Sequence, residues 1–161
     1  MFTQADMLEK CLPILKTEGA VFQKNKNVYA RRSQAGEVVH THTADGLETI
    51  NRADEGDFIV RNQTAAAEEY IVPAHKFLKN YTHIGQAEAN WEEYAANGRI
   101  VALELTPGRM QTLGFPDAFE FLAPWGSPMA AKAGDFLCCP PDFSEVYRIA
   151  RQEFFETYKP V

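Results

Sequence analysis

Ala53-Asp54-Glu55-Gly56-Asp57-Phe58-Ile59 and Ala131-Lys132-Ala133-Gly134-Asp135-Phe136-Leu137 follow one pattern, 78 residues apart. Further along, Glu68-Glu69-Tyr70-Ile71-Val72 answers to Glu145-Val146-Tyr147-Arg148-Ile149. Phe77-Leu78-Lys79-Asn80-Tyr81 answers to Phe154-Phe155-Glu156-Thr157-Tyr158, both at a spacing of 77. Three blocks in one order, with a single-residue slip, read as a tandem duplication of a small module. Each shared position has a folding role. Gly56 and Gly134 can take the left-handed turn conformation. Asp57 and Asp135 can accept turn amides. Phe58 and Phe136 open a buried alternation, and Phe77/Tyr81 and Phe154/Tyr158 are i, i+4 pairs on a helical face.

Outward from these blocks, short runs rich in Val, Ile, Tyr and Thr predict strands at 28–32, 37–43, 47–52, 58–60 and 68–72, with Asp45-Gly46 as a hairpin turn. Pro73 starts a short helix over 74–81. Strands resume at 99–105, 119–122, 135–139 and 145–149, and 151–158 reads as a final helix. Pro107-Gly108 and 124–128 read as turns or loops. Thr3 and Asp6 form a capping box for an N-terminal helix over 3–12, which Pro13 should stop or kink. Trp91 and Tyr94, three apart, suggest a helix over 86–96. The expected fold is α+β: two tandem pseudo-repeated antiparallel β modules, each closed by a short helix. The expected parts are an N-terminal helix (1–20), a first β module (21–82), a linking helix (83–98) and a second β module (99–161), within one globular unit.

The block A-x-x-G-D-F, then E-x-Y, then F-x-x-x-Y, resembles the bacterial and phage domain type named for its P-G-D-Y-F signature. Glu55-Gly56-Asp57-Phe58 and Ala133-Gly134-Asp135-Phe136 stand in for the signature, without its proline and tyrosine. The resemblance implies a small β-rich module of bacterial or phage origin. It brings no settled activity with it.

The 161 residues carry a formal net charge of -6, with 45% hydrophobic and 24% charged residues, which suits one globular chain. The acidic balance argues against nucleic-acid binding. Lys24, Lys26, Arg31 and Arg32 form one basic cluster, expected to be a solvated hairpin edge that blocks strand addition. No apolar run is long enough for a membrane span. Cys11, Cys138 and Cys139 are an odd count without disulfide spacing, and the start has no leader-like basic region. A reducing, cytoplasmic setting is therefore expected.

Candidate chemistry is sparse. His40-Thr41-His42 puts two imidazoles on one strand face, where His75, His83 or Glu37 could add a third metal ligand. The adjacent cysteines lack a base, because the second half has no histidine. Glu68 and Glu145, with Asp57 and Asp135, are the candidate catalytic carboxylates. Trp125, Trp91, Tyr70 and Tyr147 are candidate ligand or partner contacts, because aromatics with polar handles suit pockets and interfaces. No cofactor motif is present. The sequence favours a non-catalytic module for an unidentified small molecule or protein. The alternative is an enzyme of unknown class with carboxylates in a cleft between the repeats.

Overall fold

A computed structural model describes all 161 residues. In chain order the elements are α1 (Gln4–Glu18), β1 (Ala20–Lys24), β2 (Val28–Arg32), β3 (Val38–Thr43), β4 (Gly46–Arg52), β5 (Phe58–Asn62), β6 (Glu69–Val72), α2 (Ala74–Asn80) and β7 (Tyr81–Gln86). There follow β8 (Glu92–Ala96), β9 (Arg99–Glu104), α3 (Pro107–Leu113), β10 (Ala118–Leu122), β11 (Pro128–Lys132), β12 (Phe136–Cys139), β13 (Tyr147–Ile149), α4 (Arg151–Thr157) and β14 (Tyr158–Pro160). The architecture is α+β with antiparallel sheets. No helix is long and apolar enough to cross a membrane. The chain divides into two compact units. One comprises 24–98 with 156–159, and the other 1–23 with 99–155 and 160–161.

In the 24–98 unit the sheet order is β6-β5-β2-β8-β7, beside the β3-β4 hairpin. Alternation sets the two faces of β2. Val28 and Ala30 are buried with Phe58, Val60, Phe77 and Tyr94, while Tyr29 and Arg31 point to the opposite face. Phe77 of α2 stacks on Phe58 at 4.0 Å and meets Tyr94 edge-on at 4.8 Å. Such aromatic pairs add about 0.5–1.5 kcal/mol beyond their buried area.

In the other unit the sheet order is β13-β12-β9-β1-β14, beside the β10-β11 hairpin. Phe154 of α4 stacks on Phe136 at 3.8 Å and meets Phe22 edge-on at 4.9 Å. The opposite face of this sheet buries Val101, Leu103, Leu137 and Cys139 with Met7, Cys11 and Leu15 of α1. The capping box forms as expected: Thr3 Oγ1 accepts from the Asp6 amide, and Asp6 Oδ2 from the Thr3 amide. The helix nevertheless runs through Pro13 to Glu18, longer than the expected 3–12. Pro13 lies on the exposed side, where water can serve the carbonyl it leaves unpaired, and the buried stripe holds the helix together.

Element by element the two sheets correspond. The register Arg32↔Phe58 and Phe58↔Val72 has its counterpart in Glu104↔Phe136 and Phe136↔Ile149. Gly56 and Gly134 both adopt left-handed backbone, at φ 85° and 93°. Asp57 Oδ2 accepts the Asp54 amide at 3.0 Å, and Asp135 Oδ2 accepts the Lys132 amide at 3.0 Å. One feature of the topology was not expected. β1 precedes β2 in the chain but pairs with β9, and β8 precedes β9 but pairs with β2. The first strand of each half of the sequence thus completes the sheet of the other half.

Three sequence expectations fail. The predicted linking helix over 83–98 is instead the β7-β8 hairpin, because Tyr94 pairs with Val28 across the sheet and packs on Phe77. Cross-strand packing here outweighs the helix propensity of an alanine- and glutamate-rich stretch. Pro107-Gly108 opens α3, with Thr106 as N-cap accepting from the Arg109 amide. The basic cluster is not a solvated hairpin edge as a whole, because Arg31 and Arg32 lie on β2, the central strand of its sheet, and Lys24 at the end of β1 is buried.

Candidate functional site

The two sheets differ in what covers the face away from α2 or α4. Under α1, positions Val101, Leu103, Leu137, Cys139 and Val146 are apolar and buried. The registers put Tyr29, Arg31, Ile59, Arg61 and Glu69 at the same places in the 24–98 unit. Only the β3-β4 hairpin lies against this second face, where Thr41 Oγ1 donates to the Glu69 carbonyl at 2.6 Å. Trp91 corresponds to Gly19, the residue that ends α1. A Cβ on Gly19 would lie 2.7 Å from Val101, so that position tolerates no side chain beneath the helix. Where one sheet receives a helix, the other carries an indole.

Trp91 is held in the β7-β8 turn by a bond from its amide to the Glu88 carbonyl (2.9 Å) and one from the Ala87 amide to its own carbonyl (3.1 Å). The guanidinium carbons of Arg61 and Arg31 lie 4.1 and 5.0 Å from its ring. Both arginines are oriented by carboxylates. Arg31 forms a two-pronged pair with Glu37, which holds the Glu37 carboxyl below its ordinary range. Arg61 Nε donates to Glu69 Oε2 at 3.1 Å, which leaves its two amino groups for other partners. Glu93 Oε2 accepts from Asn27 Nδ2 (3.2 Å) and Gln63 Nε2 (3.3 Å), leaving Oε1 for a ligand. Tyr29, Arg61, Ala87, Glu88, Trp91 and Glu93 line an open depression of about 260 Å³. A second, wider depression of about 510 Å³ is lined by Arg31, Arg32, Phe58, Leu78, Asn90, Glu92 and Tyr94. Its Glu92 is paired with His83, and Arg32 lies flat over Phe58 at 4.2 Å.

The sequence-predicted residues fall in separate settings. Glu68 is buried, its carboxylate accepting from Asn62 Nδ2 at 2.6 Å and from the Thr64 hydroxyl. Tyr70 shares that network. Buried Lys24 donates to Asn62 Oδ1 (3.0 Å), Tyr70 Oη (2.9 Å) and Tyr81 Oη (3.0 Å). Burial, with the neighbouring Tyr81, pushes the Tyr70 phenol well above its ordinary range. Asp57 closes its turn. Asp135 is fully buried and binds Arg148 Nε at 2.8 Å and Lys132 Nζ at 3.3 Å. Glu145 lies in the loop before β13, and Tyr147 is half-buried within that strand. Trp125 is half-exposed on the β10-β11 loop.

His40 and His42 stack in parallel, 6.4 Å apart, on the exposed face of β3, opposite Ile50 and Leu47. No group of three His, Cys, Asp or Glu side chains is placed to hold a metal ion. All three cysteines are buried free thiols. Burial pushes Cys11 up to about 12 and Cys139 up to about 11, and it raises Cys138 as well.

Comparison with known proteins adds no name: no family model, curated protein or solved structure matches the chain. Sequence reasoning singled out Trp91 but not Tyr29, Arg61 and Glu93, which the structure places beside it. The available signal was the contrast between Val28-Tyr29-Ala30-Arg31 and Ile100-Val101-Ala102-Leu103, where one strand face changes from apolar to polar and aromatic.

Proposed function

We propose that the chain is a non-catalytic binding module made from a duplicated β unit whose first strands have been exchanged, and that it takes its ligand on the open sheet face around Trp91. The observation that carries this reading is the asymmetry between the copies. One face is sealed by α1 over apolar side chains, while its counterpart, where Ile59 is buried and the β3-β4 hairpin packs at Glu69, keeps an open part around Trp91 that carries aromatic and pre-oriented polar groups. Duplication supplies a reason: the sealed copy provides stability while the open copy is free to diverge. The correspondences at Gly56/Gly134 and Asp57/Asp135 support the duplication, and the resemblance to the P-G-D-Y-F domain type fits a bacterial or phage setting. A reducing compartment such as the cytoplasm suits three buried free thiols.

The enzymatic alternative, with Glu68, Glu145, Asp57 and Asp135 as cleft carboxylates, has less support. Glu68 and Asp135 have both carboxylate oxygens bonded to neighbouring side chains, and Asp57 closes its turn, all of which are folding roles. Trp125 and Tyr147 remain candidate partner contacts. The test is a titration of the Trp125→Phe protein, in which Trp91 is the sole indole, with sugars, amino acids, mononucleotides and short peptides. A saturable change in Trp91 emission is expected for one class. Silence across all classes refutes the binding face.

A further inference from the structure

We infer that the ligand of the Trp91 face is a neutral saccharide, an inference that rests on the binding-module reading above and names its substrate class. Charge is the first constraint. The depression is lined by Arg61 against Glu88 and Glu93, and Arg61 is already paired with Glu69. The lining carries no positive excess to hold a phosphate or carboxylate. A cation fares no better, because the Trp91 ring already faces the guanidinium groups of Arg61 and Arg31.

Hydrogen-bonding capacity is the second constraint. The groups left over after the internal bonds are the Arg61 amino groups and the Trp91 indole N–H as donors, Glu93 Oε1 as acceptor, and the Tyr29 hydroxyl as both. A sugar hydroxyl donates and accepts at once, so it joins such a set into a continuous chain of bonds, each polarising the next. The planar groups are also fixed beforehand. Glu69 and the indole hold Arg61, and Asn27 and Gln63 hold Glu93, so little side-chain freedom is lost on binding. The Tyr29 ring and the Ala87 methyl supply apolar surface for the C–H face of a pyranose, with the Trp91 indole beside them at the edge of the depression. At about 260 Å³ the depression is at the small end of ligand pockets and suits a sugar ring rather than a nucleotide or folded peptide.

The experiment uses the full-length Trp125→Phe protein and reads Trp91 emission, with calorimetry for confirmation. The probes are methyl glycosides of glucose, galactose, mannose and N-acetylglucosamine and their β-linked disaccharides, beside glycine, lysine, glutamate and AMP. Saturable binding of at least one neutral sugar is expected. Glu93→Gln and Arg61→Lys should weaken it by about tenfold or more, since the first removes a charged acceptor and the second replaces a planar fork of donors held by Glu69 with a single flexible ammonium. Tyr29→Phe should weaken it several-fold with little change in melting temperature, which keeps the inference testable if the other variants fold poorly. His40→Ala should leave it unchanged. Saturation by an amino acid or AMP while every sugar is silent overturns the saccharide assignment and keeps the binding face. Sugar binding indifferent to Tyr29→Phe and Glu93→Gln also overturns it, by placing the sugar elsewhere. Silence of every probe overturns both readings.

Discussion

Asp57 and Asp135 hold the same turn, yet only Asp135 is buried against an arginine. Asp135→Ala removes the fully buried carboxylate that Arg148 Nε binds at 2.8 Å, and breaking such a buried pair should cost about 3–5 kcal/mol. Asp57→Ala removes a turn bond beside water and should cost about 1 kcal/mol. Urea unfolding of the two variants checks the ranking, and equal losses would refute it. Gly56→Ala isolates backbone strain, because nothing lies within 4 Å of the added Cβ; about 1–2 kcal/mol is expected from the left-handed conformation alone. The sequence made these turn roles legible because a Gly-Asp pair before an apolar run has few other uses. It could not show that Arg148, standing where the first copy has Ile71, turns inward to meet Asp135. That depends on which face the hairpin covers.

Among the elements, the β2-β3 connection carries a pH signature. Arg31 holds the Glu37 carboxyl below its ordinary value of 4.5. A depressed folded value means that the pair stabilises the protein above the unfolded value and that this stability is lost as pH falls through the folded one. Both side chains are partly exposed, so the contribution is about 1 kcal/mol. Melting curves of the native protein and Glu37→Gln should therefore differ at pH 7 and converge as the pH falls below 4.5 and through the lowered folded value. A constant difference would mean that Glu37 acts through packing. Most strands were legible from their Val/Ile/Tyr alternation and turn residues, and α1 from its capping box. The β7-β8 hairpin was not, because Trp91 and Tyr94 happen to stand three apart. Pairing with β7 and the long-range register with Val28 together make 92–96 a strand. Sites built by such pairings, Tyr29 beside Arg61 and Glu93 among them, share that opacity.

For the whole molecule, the exchange of β1 and β8 has a thermodynamic consequence. Each sheet draws one strand from the other half of the sequence: β1 at 20–24 pairs with β9, and β8 at 92–96 pairs with β2. The account therefore predicts that 1–23 and 99–155 unfold together as one cooperative unit, although residues 24–98 separate them in the chain. The repeated blocks could be read from the sequence. The pairing of β1 with β9 and of β8 with β2 could not, because 20–24 and 92–96 lie outside those blocks. Nature has placed separate reporters in the two units: Trp91 in one, and Cys11, Cys138 and Cys139, all buried with raised thiol pKa, in the other. In the Trp125→Phe protein, urea unfolding can be followed by Trp91 emission and by thiol labelling of the same samples. The thiols should be inert in the native state and should become reactive all three together, at one urea concentration, because α1 and β1 belong with the β9-β12 sheet. Cys11 reacting along with the Trp91 change while Cys138 and Cys139 stay protected would contradict the pairing of β1 with β9.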